Sequence, residues 1–260
     1  MSGPLDDITI LDLTWVLAGP FASMILCDLG AEVIKVERPP NGDISRTTGP
    51  YQNGWSGYFF SINRGKKSVA IDLQSAEGRE LFLRLAEKVD VVVENFTPGT
   101  LDRLGIGWGE LSARNPRLIL ASISGFGQTG PYSNRPALDI VVQAMGGVMS
   151  VTGEPGGGPV RPGASYGDLV AGMFAAIGVL TAIHERGRSG KGQAVDISML
   201  DCQVAMMENA IVRYFVTGEI PGPIGTRHPS ATPFQVAVPT WKGVVRQALV
   251  PPSPTSPWSL

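Results

Sequence analysis

The runs Ile8-Thr-Ile-Leu-Asp-Leu13 and Ala31-Glu-Val-Ile-Lys-Val-Glu37 decide the fold of this chain. Both are apolar, rich in β-branched residues and of strand length. Between them, Pro20 occupies a position typical of a first helical turn, and Gly30 ends the predicted helix. A strand, a helix and a strand in so short a stretch form a βαβ unit, which predicts a parallel sheet with a right-handed crossover.

Further strand and helix patterns extend this unit. Strands are predicted over 68–73, 90–94, 118–123 and 193–197, and helices over 76–88, 136–149 and 199–215. Together they indicate an α/β protein with an open, parallel, Rossmann-like sheet. Residues 39–65 are rich in Gly, Pro and polar residues and predict one long loop. Loops of that length in compact domains are usually functional or mobile.

The stretch from Leu169 to Ile183 carries no charge and predicts a helix that is buried on nearly every side. It is shorter than the roughly 20 apolar residues that cross a bilayer, so we expect a core helix and no membrane segment. Asp168 lies in its first turn. The residue is therefore either an N-cap, which the helix dipole favours, or a reactive carboxylate at the mouth of a pocket.

Composition narrows the functional classes. The net charge of −2 argues against nucleic acid as a partner, and the low charged fraction of 17% suits a chain that buries much of itself, as in an oligomer. Cys27 and Cys202 lie far apart, so neither a disulfide nor a zinc site is expected, and the chain fits a reducing cytoplasm. The first residues show no export signal.

Several familiar sites are absent from the sequence. No GxGxxG follows the first strand, because 17–23 contains one glycine and a proline, and no phosphate-binding P-loop occurs. Only His184 and His228 are available for Ser-His-Asp catalysis or metal binding, and His184 is expected just after the core helix. We therefore predict no dinucleotide site, no ATP site and no metal site.

A set of cations remains near the predicted loops. Each is by itself a common surface charge, but together we expect them on one side of the sheet, where they would hold an anionic ligand with phosphates. They are Arg38, Arg64, Lys66, Lys67 and Arg103. From the residues alone, the chain is an α/β protein with an aspartate before a buried helix and a polyanionic small ligand.

Six runs of the sequence carry a more specific signal. They are Leu11-Asp-Leu-Thr-Trp-Val-Leu-Ala-Gly-Pro20, Asp28-Leu-Gly-Ala-Glu-Val-Ile-Lys-Val-Glu-Arg-Pro39, Asn63-Arg-Gly-Lys-Lys-Ser68, Val93-Glu-Asn-Phe-Thr-Pro-Gly99, Ser124-Gly-Phe-Gly-Gln-Thr-Gly-Pro131 and Gly167-Asp168. In this order, over roughly residues 5–240, they resemble the class III (CaiB/BaiF-type) coenzyme A transferases. The resemblance implies transfer of CoA from an acyl-CoA to a carboxylic acid, without a tightly bound cofactor, by a homodimer.

The same resemblance implies roles for individual residues. Asp168 would be the nucleophile and would become an aspartyl-CoA thioester. Contacts to CoA would come from Val16, Ala18, Arg38, Ile71, Asn95, Phe96 and Arg103. Of these, we assign Arg38 to phosphate and Phe96 to apolar packing near the CoA.

Two alternatives accompany this assignment. The related α-methylacyl-CoA racemases carry a Gly-His-Asp run where this chain has Ala137-Leu138-Asp139, and Leu138 cannot exchange the α-proton that a racemase must move. The second alternative is an inactive, truncated CoA-binding fragment, because the family pattern stops near Thr240.

The resemblance also implies a domain division. We expect 1–217 to form a CoA-binding α/β large domain and 218–240 to form a linker toward a small domain that is missing from the sequence. Residues 241–260 form a Pro/Ser-rich tail, which we interpret as a frameshifted or truncated, non-native or disordered end rather than a native one.

Overall fold

A computed structural model of the chain describes residues 3–226, 228, 235–236 and 247–248. Its centre is a six-stranded, all-parallel sheet with the order β5-β2-β1-β6-β7-β8. The strands are β1 (Thr9–Asp12), β2 (Glu32–Glu37), β5 (Lys67–Ala70), β6 (Val91–Glu94), β7 (Ile119–Ser124) and β8 (Ala194–Ser198). The predicted open parallel α/β sheet is thereby confirmed.

Among the described residues, four short strands lie outside this sheet and form two antiparallel pairs. They are β3 (Tyr51–Gln52) with β4 (Trp55–Ser56), and β9 (Gln235–Val236) with β10 (Gln247–Ala248).

The described residues include nine α-helices. They are α1 (Ala18–Asp28), α2 (Gly57–Asn63), α3 (Ala76–Ala86), α4 (Thr100–Arg103), α5 (Trp108–Arg114), α6 (Asp139–Met145), α7 (Tyr166–Ser189), α8 (Met199–Met206) and α9 (Glu208–Thr217). Two 3₁₀ helices span Ile44–Thr47 and Val148–Val151.

The sheet separates two apolar cores. Alternate residues of a strand face opposite sides, so Val91 and Val93 of β6 face the core beneath α1 and α7 while Val92 faces the other core, beneath α3 and α5. All three valines are at most 1% exposed. Burial on both faces explains why the strands are continuous apolar runs in the sequence.

Helices α1 and α7 pack with their backbones unusually close together. A Cβ on Gly172 would lie 2.7 Å from the carbonyl oxygen of Ala18 and 3.0 Å from the Phe21 ring. The neighbouring Ala171 and Ala175 are fully buried in the same core. These small side chains let the start of α1 approach the first turns of α7.

Helix α7 differs from its prediction in two ways. It continues to Ser189, so His184 lies within the helix rather than after it. It is also not buried on nearly every side, because Met173, Phe174 and Ile177 are 47%, 40% and 56% exposed. The sequence shows that a helix is apolar, but it does not show whether each face has a neighbour.

Length and composition alone would allow α7, with 24 residues, to cross a membrane. Eight of its residues are buried in the structure, and five of these belong to the core shared with α1 and the sheet. This packing supports its interpretation as a core helix.

The predicted loop over 39–65 contains regular structure, which corrects that prediction. The 3₁₀ helix Ile44–Thr47 begins where the Asp43 side chain accepts a hydrogen bond from the Ser45 N–H, and α2 begins where the Ser56 hydroxyl accepts one from Phe59. Such short, capped elements lack a measurable hydrophobic period, so the pattern missed them, as it missed α4 and α5.

Two of the predicted helices also differ from those in the structure. The helix predicted over 199–215 is two helices, α8 and α9. The one predicted over 136–149 is α6 followed by the start of a 3₁₀ helix.

The chain divides into two compact units. The first comprises 1–146 and 165–205, and the second comprises 147–164 and 206–260. This division falls at other positions than the predicted boundary at residue 217, so α9 belongs to the second unit. The predicted tail over 241–260 lies outside the described residues, apart from β10. The linker and the missing small domain stay predictions.

Two glycines of α7 test the packing against α1. Gly172→Ala should lower the free energy of unfolding by about 1–3 kcal/mol, because the new methyl group meets the rigid backbone of α1. Gly187→Ala has open space around its Cβ and should raise stability by about 0.5–1 kcal/mol through helix propensity. Urea denaturation measures both variants. Equal or higher stability of Gly172→Ala would contradict the close packing.

Candidate active site

Two adjacent cavities open among the loops that follow the parallel strands. The first, of about 290 Å³, is lined by residues that include Leu13, Val36, Arg38, Ile71, Asp72, Thr100 and Leu104. The second, of about 240 Å³, is lined by residues that include Val16, Leu17, Ala18, Asn95, Arg135, Leu138, Asp139 and Asp168. Trp15 and Phe96 line both cavities and contact each other edge-on, with ring centroids 6.2 Å apart. The two cavities therefore adjoin, and both belong to the first unit.

Asp168 is half-buried at the wall of the second cavity. Ser165 is the N-cap of α7, so Asp168 is the third helical residue and the N-cap alternative is wrong. The N–H of Gly167 donates instead to Asp139 Oδ1 at 2.8 Å. Any side chain on Gly167 would crowd this contact, since its Cβ would lie 2.9 Å from Asp139 Oδ1 and 2.6 Å from Val142. Asp139 thus accepts a hydrogen bond from a backbone N–H in the first turn of α7, next to Asp168.

The start of α1 forms another wall of the second cavity. Leu17 is its N-cap and makes no side-chain hydrogen bond, and the first turn holds no acidic residue. The first N–H groups of a helix have no intrahelical acceptors and form its positive end. This wall therefore favours negative charge in the cavity.

Val16 is held in a rare conformation just before α1. Its φ of 66° is left-handed, which is strained for a β-branched residue. Its N–H donates to Asp43 Oδ1 at 3.3 Å, while the Trp15 backbone exchanges two 2.9 Å hydrogen bonds with the Asn95 side chain. Buried Lys35 donates to the carbonyl of Thr14 at 2.6 Å and pairs with Asp43 at 2.9 Å. These contacts fix the loop between β1 and α1.

A buried ion pair lies beneath this loop. Lys66 Nζ contacts Asp12 Oδ2 at 2.9 Å, and both side chains are at most 1% exposed. Burial by itself would raise the pKa of Asp12, but the charges of Lys66 and Lys35, with hydrogen bonds from Thr14 and Ser23, outweigh it and hold that pKa well below its usual range. Asp12 is therefore ionised in the core.

The predicted group of cations is partly corrected. Arg64 pairs with Asp28, Lys66 with Asp12 and Lys67 with Glu32, and none of the three lines either cavity. Arg64 and Lys66 precede β5 and Lys67 is its first residue, so none of the three follows a strand, and they reach the carboxylates of α1, β1 and β2 instead. Arg38 follows β2 and lines the first cavity. Arg103 lies on α4 and donates to Thr100, which lines the same cavity.

The remaining predicted site residues fall on the two cavities. Val16, Ala18, Asn95 and Phe96 line the second, and Arg38, Ile71 and Phe96 line the first. Their roles as ligand contacts stay predictions. In the described part of the chain, no three His, Cys, Asp or Glu side chains are grouped to hold a metal ion.

Sequence reasoning missed Tyr58 and Arg135. Burial raises the pKa of the Tyr58 phenol, and the carboxylates of Asp168 and Asp43 raise it further, so the phenol lies within electrostatic range of Asp168. Tyr58 lies in α2, within the predicted loop over 39–65. The sequence signal that could have identified it is the occurrence of aromatic residues in an otherwise polar stretch. Arg135 lines the second cavity from the loop between β7 and α6.

Glu94 is a buried carboxyl group at the end of β6 and directly precedes Asn95 and Phe96 in the sequence. Burial raises its pKa to about 7, against hydrogen bonds from Ser122 and from the Phe96 N–H, which lies 2.7 Å from Oε2. The charge of Asp196 acts in the same direction as burial. The pKa of Glu94 therefore lies near neutral pH.

Comparison with known proteins shows extensive similarity. The sequence model described as CoA-transferase family III matches residues 5–248. The acetyl-CoA:oxalate CoA-transferase of Acetobacter aceti is 48% identical over 235 residues, which cover 90% of this chain and 60% of that protein. The succinyl-CoA:glutarate CoA-transferase of Mus musculus is 45% identical over 233 residues, covering 89% of this chain and 53% of that protein.

A solved structure agrees with these matches. A CaiB/BaiF family protein from Brucella suis superposes with a TM-score of 0.86 at 42% identity, and the match covers 92% of this chain and 64% of that one. The chain thus spans 53% to 64% of the length of these three relatives.

The titration of Glu94 predicts a pH effect on stability. Between the ordinary value of 4.5 and about 7, the folded protein holds more protons at Glu94 than the unfolded chain, so the wild-type protein loses stability as pH rises through this window. Glu94→Gln removes that loss. The stability of this variant relative to wild type should rise by up to about 3 kcal/mol between pH 5 and pH 8.

Urea denaturation at the two pH values measures this difference. Glu77→Gln, at an exposed position of α3, is the control for loss of a carboxylate. A constant stability difference for Glu94→Gln across pH 5–8 would contradict the raised pKa.

Proposed function

Since the chain belongs to CoA-transferase family III, we propose that it moves CoA between carboxylic acids, with Asp168 as the nucleophile. The observation that carries this proposal is the position of Asp168. It lies on the second cavity, which adjoins the first cavity through Trp15 and Phe96, and the first cavity is flanked by Arg38 and Arg103. This arrangement suits a ligand with an anionic end and a reactive acyl end.

The chemistry is a sequence of four acyl exchanges. The Asp168 carboxylate attacks the thioester carbonyl of an acyl-CoA, so that a C–O bond forms, the C–S bond breaks and CoA leaves as thiolate. The thiolate then attacks the Asp168 carbonyl of the mixed anhydride, which gives aspartyl-CoA and releases the donor acid as carboxylate. The acceptor carboxylate and the thiolate repeat these two steps in reverse. No proton and no electron is transferred overall.

The positive end of α1 would stabilise the oxyanions of these steps. Each exchange passes through a tetrahedral intermediate with a negative oxygen, and unpaired helical N–H groups act as preorganised donors for such charge. The start of α1 at Ala18 lines the same cavity as Asp168. The fixed backbone of Val16 keeps this donor set in place before the substrate binds.

The first cavity would hold the nucleotide end of CoA. Arg38 is exposed and forms no ion pair among the described residues, so its guanidinium is available for phosphate, and Arg103 lies beside the same cavity. Ile71 supplies an apolar wall. The pantetheine arm would pass Trp15 and Phe96 toward Val16, Ala18 and Asn95.

We further propose that the active protein is a cytoplasmic homodimer whose partners are an acyl-CoA and a carboxylic acid, and not nucleic acid or membrane. The exposed apolar side chains of Met173, Phe174 and Ile177 on α7 support a protein-covered surface. So do Val212 and Phe215 on α9, which are 59% and 80% exposed.

Trapping the intermediate tests the nucleophile. Incubation with acetyl-CoA followed by hydroxylamine or borohydride should modify Asp168, as detected by peptide mass spectrometry, and Asp168→Asn should abolish the modification. Asp201→Asn is a matched control, because Asp201 is also in the first turn of a helix but lines neither cavity. Modification at another residue would contradict the proposal. Deuterium uptake at the α-carbon of a propionyl substrate would instead indicate racemase chemistry.

Removal of the Arg38 guanidinium tests whether the first cavity binds the nucleotide end of CoA. Arg38→Gln should weaken CoA binding about 10-fold and leave binding of pantetheine, which lacks the nucleotide, unchanged. Arg64→Gln is the control, since Arg64 pairs with Asp28 away from both cavities. Titration calorimetry measures the affinities. An equal loss for CoA and pantetheine would place Arg38 at another part of the ligand.

A further inference from the structure

Glu94 is the last residue of β6 and one member of a row of polar side chains across the sheet. Its Cα partner on β7 is Ser122, whose own partner on β8 is Asp196. Paired residues of neighbouring strands point to the same face of a sheet, so the three side chains lie side by side. Val92, two residues before Glu94, belongs to the apolar core on that face. A carboxyl group that is only 4% exposed therefore lies at the edge of an apolar core.

Glu94 lines neither cavity, but the two residues that follow it line the second one. The N–H of Phe96 donates to Glu94 Oε2 at 2.7 Å. The Asn95 side chain exchanges two hydrogen bonds of 2.9 Å with the Trp15 backbone. Trp15 and Phe96, the pair of rings through which the cavities adjoin, are thus both attached to the end of β6.

The charges around Glu94 are few. Asp196 is the charged group among the described residues whose field acts on it. The strands beside it, β1 and β7, place uncharged side chains on this face, and α3, α4 and α5 meet the core there through Phe82, Leu101 and Leu111. In the described part of the chain no cation pairs with Glu94. Its ionised form therefore depends on the hydrogen bonds that it accepts.

The strength of the contact with Phe96 depends on the charge of Glu94. A hydrogen bond to an ionised acceptor is roughly twice as strong as one to a neutral acceptor. Burial raises the pKa of Glu94 to about 7, against hydrogen bonds from Ser122 and from the Phe96 N–H. Both protonation states are therefore populated near neutral pH, and they hold the Phe96 backbone with unequal strength.

We propose that Glu94 is a positioning residue that makes CoA binding depend on pH. Its carboxylate fixes the Phe96 backbone, and with it the Trp15–Phe96 pair, in the arrangement that meets the ligand, and protonation loosens this arrangement. This inference rests on the proposed function, in which the pantetheine arm passes the two rings. A ligand that prefers one state shifts the population toward it, so CoA binding near neutral pH releases a proton from Glu94 to the buffer.

Two other roles for Glu94 would give different pH dependences. If Glu94 only supported the fold, its replacement would weaken binding by the same factor at every pH. If its charge acted directly on the anionic ligand, like-charge repulsion would weaken binding at high pH, which is the opposite direction.

Titration calorimetry with dephospho-CoA at pH 5.5 and pH 8 tests the proposal. This ligand keeps the pantetheine arm and the diphosphate but lacks the 3′-phosphate, whose own titration would add a second pH dependence. Glu94→Gln is the test variant, because glutamine has the size of the neutral acid and keeps an oxygen for the Phe96 N–H. Glu77→Gln, at an exposed position of α3, is the control for loss of a carboxylate.

Wild type should bind dephospho-CoA about 3- to 10-fold more tightly at pH 8 than at pH 5.5. Glu94→Gln should match wild type at pH 5.5 and bind more weakly by that factor at pH 8, while Glu77→Gln should resemble wild type at both. At pH 7, in buffers of different ionisation enthalpy, binding should release a fraction of a proton from wild type that Glu94→Gln does not release.

An equal loss of affinity for Glu94→Gln at both pH values, or no loss at either, would overturn this inference while binding itself still supports the proposed function. Tighter binding of wild type at pH 5.5 than at pH 8 would overturn it too. A wild-type protein that does not bind dephospho-CoA at either pH would contradict the proposed function and the inference with it.

Discussion

The close approach of α7 to α1 is the constraint on which the candidate site depends. At Gly172 the two backbones leave no room for a Cβ beside the carbonyl of Ala18. Asp168 lies one turn before Gly172, and Ala18 begins α1, so the same contact brings the carboxylate and the positive helix end to one cavity. Small residues that would weaken an isolated helix are therefore what makes this site geometrically possible.

The backbone conformation of the loop before α1 is fixed by a buried polar network and not by the intrinsic φ/ψ preference of its residues. A left-handed valine persists only where its surroundings over-determine it, and here Asp43, Lys35 and Asn95 each hold a backbone group of residues 14–16. Buried charges of this kind add little net stability, but each requires its partner in one geometry. We infer that the wall formed by Val16 is preorganised before any ligand binds.

The sheet was predictable because its signals are local. An apolar run such as 90–94 predicts a buried strand by itself, whatever packs against it in the fold. The Gly167-Asp168 pair was identified through its resemblance to the family. What failed depends on tertiary partners. The sequence predicts that α7 ends before Arg186, because an arginine is typical of an exposed turn. In the structure Arg186 is buried within the helix, and its Nη1 lies 3.0 Å from Asp90 Oδ1. Likewise, the position of Lys66 near a predicted loop suggested a ligand-binding cation, but its side chain pairs with Asp12 in the core.

The two aspartates of the second cavity divide their roles. Both oxygens of Asp139 accept hydrogen bonds from the Gln143 amide, and Oδ1 also accepts the Gly167 N–H, so this carboxylate is committed to the start of α7. Beside it, Leu138 offers no titratable group, and no histidine is among the described residues that line the cavity. A site built this way is poorly equipped to exchange a carbon-bound proton. These features support the proposed exchange of carboxylates and a thiolate at acyl carbons, since such an exchange needs a held nucleophile and donors for the oxyanion but no general base.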